Sequence, residues 1–188
     1  RMICLLISLL LLLSFLALPS FAATVPIPSM DEASSVYLKH LESGLAACTK
    51  DENYLVGAGS TVKIMAGILL CEKFQAYSQS TVSISEELYA AIPRTHGRSL
   101  KLTVGENTTI DHLLFAAICG SYNDAFYVLA ALASGSVEAF VAEMNARAAA
   151  MGLVNTVFED VTGIVDGSRT TAAEVAQIAL VAYQNAYF

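Results

Sequence analysis

A change of period near residue 60 places this chain in the α+β class. Before it, residues 35–41 alternate polar and apolar, Glu42-Ser43-Gly44 reads as a turn, and 45–49 reads as a returning strand. Alternation broken by such a turn is the signature of an antiparallel hairpin. After it, apolar residues recur at helical spacing in successive segments, several of them opened by Ser, Thr or Asn. That combination predicts a cluster of capped helices.

The elements follow in order. Residues 23–34 hold Pro26 and Pro28 and predict an extended leader into the hairpin. Residues 50–59 are polar and glycine-bearing and predict a loop. A helix is expected from Ser60 to about Tyr77. Met65, Ile68, Leu69, Leu70 and Cys71 make it apolar around most of its surface, so it belongs in the domain centre. Residues 82–92 are short and mixed, 93–101 read as a loop, and 104–107 as a turn. Thr109 is the expected N-cap of a helix to Cys119, and Asn123 or Asp124 that of a helix through Ala133. Ser136-Val137-Glu138 opens another helix, which Gly152 closes. Thr171 and Glu174 have capping-box spacing for a last helix, expected to be still running at Phe188.

The length of 188 residues fits one domain with a sizeable core. Mean hydropathy is +0.58, a value raised by the N-terminus. Arg1 precedes a charge-free, strongly apolar run over 2–18, and Ser20 and Ala22 form a small-x-small site. This predicts a secretory signal peptide at 1–22, cleaved after Ala22. A membrane anchor is the competing reading, for which the run is short of the roughly 20 apolar residues that spanning needs.

Net charge is -7, and no Lys/Arg cluster follows the leader, which argues against nucleic acid as a partner. Cys48, Cys71 and Cys119 remain after the leader, an odd number that cannot complete a disulfide framework. They are expected to serve as small buried hydrophobes. His40, His96 and His112 are too scattered to predict a metal site. Tyr and Phe at helical spacing are expected in the core.

The chemistry-bearing residues fall in two places. Ser60 and Lys63 lie three apart at a helix start, which puts both on one face, a turn apart. A serine hydroxyl needs a neighbouring base, and lysine can be one only when neutral, as burial favours. Ser60 at the helix N-terminus also meets unpaired backbone N–H groups suited to an oxyanion. Ser-x-x-Lys alone is weak, since such spacing arises by chance and describes an ordinary cap followed by a solvated lysine. Ser121-Tyr122-Asn123 adds a hydroxyl that can shuttle a proton and an amide that can hold a substrate backbone. Taken separately, it is equally a helix cap.

Together these residues identify a resemblance. Over roughly 33–183 the chain resembles the low-molecular-mass penicillin-binding proteins, the serine D-Ala-D-Ala carboxypeptidases. Ala58-Gly59-Ser60-Thr61-Val62-Lys63-Ile64-Met65 is similar to that family's Pro-Ala-Ser-x-x-Lys-Ile-Met stretch. Residues 113–130, with Ser121-Tyr122-Asn123-Asp124-Ala125, resemble its Leu-Leu…Ser-x-Asn-Asp-Ala segment. Residues 135–141, Met144-Asn145, 151–156, Thr162-Gly163 and Thr170-Thr171-Ala172 extend the likeness.

The resemblance implies the fold shared by serine β-lactamases and DD-peptidases, a helical cluster packed on an antiparallel sheet. It implies Ser60 as the acyl-ester nucleophile, Lys63 as its base, Ser121 as a proton relay and Asn123 as a substrate-positioning amide. The implied substrate is the peptidoglycan stem peptide, with β-lactam antibiotics as inhibitors acylating Ser60, and the implied reaction needs no metal or cofactor. The implied site of action is extracytoplasmic, with membrane association through a C-terminal anchor.

Three departures accompany it. Ala58-Gly59 stands for Pro-Ala, loosening the turn before the nucleophile. Tyr122 stands for a small residue and is expected to narrow the cleft. The family's Lys-Thr-Gly strand, which binds the substrate carboxylate, does not occur in these 188 residues. Residues 35–188 are accordingly expected to form a partial catalytic domain with only the first hairpin of its sheet, inactive by itself. A serine β-lactamase is an alternative, but the Glu-x-x-Leu-Asn motif of those enzymes is not found. A non-catalytic wall-binding or penicillin-binding module is the other, and the presence of all four polar residues argues against it.

Overall fold

The computed structural model describes residues 30–94 and 97–188. The expected signal segment 1–22 and His96 lie outside the described residues. Of the expected extended leader, only 30–34 is described, and there the chain turns: Ala33 N donates to Met30 O at 3.1 Å. Lys50 Nζ ties that turn down by donating to Met30 O at 3.0 Å.

The hairpin forms as the alternation requires. Strand β1 (Val36–Lys39) pairs antiparallel with β2 (Ala46–Lys50), Leu38 opposite Cys48, with an irregularity between Leu38 and Lys39. Gly44 supplies the left-handed residue of the connecting turn, at φ +70°.

The hairpin forms a two-stranded sheet by itself, and the other strands among the described residues lie in separate sheets. Two further short antiparallel pairs exist: β3 (Val56–Gly57) with β6 (Arg169–Thr170), and β4 (Thr81–Ser83) with β5 (Asn107–Thr109). Their residues are mostly Thr, Ser, Asn and Gly, so no apolar alternation announces them.

Helix α1 (Val62–Phe74) is flanked by 3₁₀ turns at Gly59–Thr61 and Gln75–Tyr77. Nine of its residues are buried, among them Val62, Met65, Ile68 and Leu70. Packed around it are α3 (Ile110–Ile118), α4 (Asn123–Ser134), α5 (Val137–Ala150) and α6 (Ala172–Gln184). The short α2 (Glu86–Ala90) rests on α4, and β1 rests on α6. Phe126, Leu129, Phe140 and Met144 complete the centre of the core. Ion pairs Lys73–Glu143 (2.8 Å) and Arg147–Glu72 (2.7 Å) link α1 to α5 at the surface. Among the described residues, no single helix is long and apolar enough to cross a membrane.

Caps expected at Thr109 and Ser136 are present, each oxygen accepting from the N–H three residues on. The glycine stop is also present, with Gly152 at φ +74°. Other expectations fail for identifiable reasons. Neither Asn123 nor Asp124 caps α4: Tyr122 is the capping position, and both residues lie inside the first turn. Thr171 caps α6, but Glu174 does not return the bond. Its carboxylate instead accepts from Asn155 N (3.0 Å), Asn155 Nδ2 (3.1 Å) and Thr156 Oγ1 (2.5 Å).

The last helix stops at Gln184 rather than running to Phe188. Asn185 leaves the helical region, and its side-chain oxygen accepts from Tyr187 N (3.0 Å) and Phe188 N (3.3 Å), closing an Asx turn. Not every aromatic is core, since Phe115 is 67% and Tyr183 75% exposed. The three cysteines are free, but only Cys71 is buried; Cys119 is exposed.

Candidate active site

Ser60 sits at the surface in the 3₁₀ turn that feeds α1. The turn is held from several sides. Ala58 N donates to Ser168 O (2.9 Å), while Thr61 N (3.1 Å) and Thr61 Oγ1 (2.6 Å) both donate to Ala58 O. Gly59 takes φ +48°, so the Ala58-Gly59 pair expected to loosen the turn instead supplies a left-handed residue to it.

Against Gly59 lies Gly163. A Cβ placed on Gly163 would fall 1.7 Å from Gly59 O, so the two backbones touch and no side chain fits. Asp160 fixes that approach. Its carboxylate accepts from Gly163 N (2.8 Å), Thr162 N (3.2 Å), Thr162 Oγ1 (2.6 Å), Ile164 N (3.2 Å) and Tyr127 OH (3.2 Å). A buried carboxylate carrying this many donors is well satisfied and rigid.

Lys63, in the first turn of α1, is half-buried. Its Nζ donates to Ser121 Oγ at 2.9 Å and stands 5.9 Å over the Phe126 ring. Burial pulls the pKa of this amine below its ordinary value; the nearby Asp160 carboxylate opposes that and the Arg98 guanidinium reinforces it. A lysine held this way loses its proton more readily than one in water, which is what a general base requires.

Ser121 adopts φ +57°, a left-handed conformation unusual for a residue with a side chain. The tight link between α3 and α4 imposes it. Gly120 N donates to Phe115 O (3.2 Å) and Tyr122 N to Ala116 O (3.1 Å), leaving Ser121 at the apex. Backbone strain of this kind is found at functional sites. Ser60, Lys63 and Ser121 line one cavity of about 210 Å³, with Ile64, Ile118 and Phe126 as apolar wall.

Three of the four residues expected at the site line this cavity; Asn123, two residues on from Ser121, does not. It is 4% exposed and lies beside the cavity, where a Cβ on Gly97 would come 3.0 Å from its Nδ2. Nor does Tyr122 line the cavity. Its ring lies under Arg98, whose Cζ is 4.6 Å from the ring centre. The groups so assembled are a hydroxyl at a helix start and an amine hydrogen-bonded to a second hydroxyl, a set that can supply a nucleophile, a base and a proton relay.

The sequence gives Asp160 no role at the site and offers Asp124 only as a helix cap. Asp160 precedes Val161-Thr162-Gly163, and Asp followed by Thr-Gly is a turn signal that points to it. Asp124 was read as a cap. It serves loop 97–101 instead, accepting from Ser99 Oγ (2.7 Å), Leu100 N (3.0 Å) and Lys101 N (3.1 Å).

Comparison with known proteins shows what the chain is similar to. The sequence profile described as D-alanyl-D-alanine carboxypeptidase matches residues 22–187. D-alanyl-D-alanine carboxypeptidase DacF of Bacillus subtilis is 30% identical over 151 residues, 79% of this chain and 38% of that protein. A D-alanyl-D-alanine carboxypeptidase of Streptomyces is 28% identical, over 92% of this chain and 60% of that protein. The chain therefore spans between about two fifths and three fifths of the length of these relatives. Among solved structures, a mutant of a Streptomyces DD-transpeptidase superposes with TM-score 0.75 at 26% identity, over 82% of this chain and 62% of that one. The D-alanyl-D-alanine carboxypeptidase DacD from Francisella tularensis superposes with TM-score 0.77, over 93% of this chain and 42% of that one; at 24% identity this likeness bears on the fold alone.

Proposed function

The chain belongs to the D-alanyl-D-alanine carboxypeptidase family, and on that premise we propose that it carries the nucleophile, base and proton relay of a serine carboxypeptidase acting on peptidoglycan stem peptides. Ser60 attacks the carbonyl carbon between the two terminal D-alanines while Lys63 takes its proton. The tetrahedral intermediate collapses to an ester on Ser60, and the leaving D-alanine receives a proton through Ser121. Water then hydrolyses the ester by the same path in reverse. Asn123 is the amide that positions the peptide. β-Lactams acylate Ser60 by the same first step. Peptidoglycan lies outside the cytoplasmic membrane, which accords with reading the apolar segment 2–18 as an export signal.

The observation that carries this proposal is the 2.9 Å bond from Lys63 Nζ to Ser121 Oγ in the cavity that Ser60 also lines. The test is D-alanine release from an N-acylated peptide ending in D-Ala-D-Ala, by a protein that joins these residues to a Lys-Thr-Gly strand, the intact protein of the tests below, and by its Ser60→Ala variant; the 188 residues alone are expected to release none. Release is expected from the first and none above background from the second. Release that survives Ser60→Ala, or rapid turnover of benzylpenicillin, would refute the proposal.

A further inference from the structure

Arg98 is a cation held at the edge of the candidate site. Its guanidinium carbon stands over the ring of Tyr122, the residue between Ser121 and Asn123, at 4.6 Å from the ring centre. The backbone beneath it is fixed. Arg98 O accepts from Asn123 N at 2.9 Å, and the buried Asp124 carboxylate holds the next three residues through Ser99 Oγ, Leu100 N and Lys101 N. Gly97 lies close on the same side, where an added Cβ would come 3.0 Å from Asn123 Nδ2 and 3.1 Å from Ile164. A guanidinium held over a ring by cation–π attraction keeps N–H donors with which it can grip a carboxylate. Among the described residues Arg98 forms no ion pair, although the chain has 17 acidic residues to 10 basic ones. A cation kept clear of that acidic majority, beside Ser121 and Asn123, suits an anion arriving from solution.

We propose that Arg98, clamped on Tyr122, is a specificity-determining residue that binds a carboxylate on the acyl-donor part of the peptide. The inference rests on the function proposed above. It places the carboxylate on the side of the cleft where Asn123 lies, on the part of the peptide that stays attached to Ser60 rather than on the departing D-alanine.

The test compares two peptides ending in D-Ala-D-Ala, identical except that a side-chain carboxylate ahead of the terminal pair is free in one and amidated in the other. The measured quantity is the ratio of their kcat/KM values for D-alanine release, in which any common effect of Arg98 on Lys63 or on folding cancels. The intact protein is expected to favour the acid by about fivefold, the upper range for a solvent-exposed ion pair. Arg98→Gln is expected to bring the ratio to about one, Arg98→Lys to retain part of the preference, and Tyr122→Leu to reduce it with the cation still present. A ratio near one in the unaltered protein, or a preference that survives Arg98→Gln, overturns the inference while leaving the carboxypeptidase function standing. Release from neither peptide, with Ser60 not acylated by benzylpenicillin, overturns both.

Discussion

Lys63 is held between two opposing charges, and its protonation decides whether it can act as a base. Burial lowers its pKa most, Asp160 works to raise it, and Arg98 lowers it further. The rate of Ser60 acylation should therefore rise with pH as Lys63 loses its proton. The sign for each neighbour follows. Asp160→Asn removes the charge that stabilises the ammonium, so the rising limb should move to lower pH. Arg98→Gln removes a charge that repels the proton, so the limb should move to higher pH. Each shift is expected to be about half a pH unit to one unit. Second-order acylation rates by a β-lactam between about pH 6 and pH 11 read both shifts. Limbs that coincide in all three proteins would show that Lys63 is not the titrating base. Cys71 contrasts with Lys63 at the same scale. Burial, with Glu72 beside it, pushes its thiol up to about 11, which makes it an inert apolar filler.

At the scale of elements, the site depends on three segments that meet at backbone level: the turn into α1, the link between α3 and α4, and the loop around Gly163. Gly163→Ala is the sharpest probe. The added carbon would meet Gly59 O at 1.7 Å, in a residue already at φ +77°. The loop or the nucleophile turn must shift, at a cost of roughly 2 kcal/mol or more. Acylation of Ser60 is expected to fall at least tenfold, while Gly152→Ala, with φ +74° but open space around it, should lose a similar kind of backbone stability and keep its acylation rate. Equal effects on acylation from the two substitutions, measured alongside urea melts, would contradict the view that Gly163 positions Ser60.

These segments also mark where the sequence was legible. The hairpin could be read because its period and its turn agree. The caps at Thr109, Ser136 and Thr171 could be read because a cap is a local bond between a side chain and the N–H three residues on. The Ser60–Lys63 pair was visible for the same reason, as a spacing within one helix turn. What escaped was non-local. Pairing of β3 with β6 joins ends far apart in the chain, Glu174 leaves its own helix to bind Asn155 and Thr156, and Asp124 turns from its helix to a loop. No periodicity encodes such partners, because they depend on packing that only the folded chain creates.

Across the whole molecule, one buried helix carries both the core and the candidate base. Val62, Met65, Ile68 and Leu70 anchor α1 among Phe126, Leu129, Phe140 and Met144, and Lys63 projects from the same helix toward Ser121. Stability and chemistry should therefore separate by position rather than by burial. Phe126→Ala and Phe140→Ala each remove a ring no more than 1% exposed, at a cost of about 3–5 kcal/mol. Phe126 is also wall to the cavity and lies under Lys63, whereas Phe140 on α5 is neither. Acylation per folded molecule should fall for Phe126→Ala and hold for Phe140→Ala, with thermal melts giving the folded fraction. Similar losses in both would mean that the cavity wall has no part in the chemistry.

The central claim is that Ser60 is a nucleophile activated by Lys63 and Ser121. Its most direct test is mass spectrometry of the intact protein after exposure to benzylpenicillin, followed by peptide mapping. A single penicilloyl adduct on Ser60 is predicted, absent from Ser60→Ala and formed at least about a hundredfold more slowly in Lys63→Ala and Ser121→Ala. An adduct on another residue, or one that forms on Ser60 at an unchanged rate without Lys63, would contradict it.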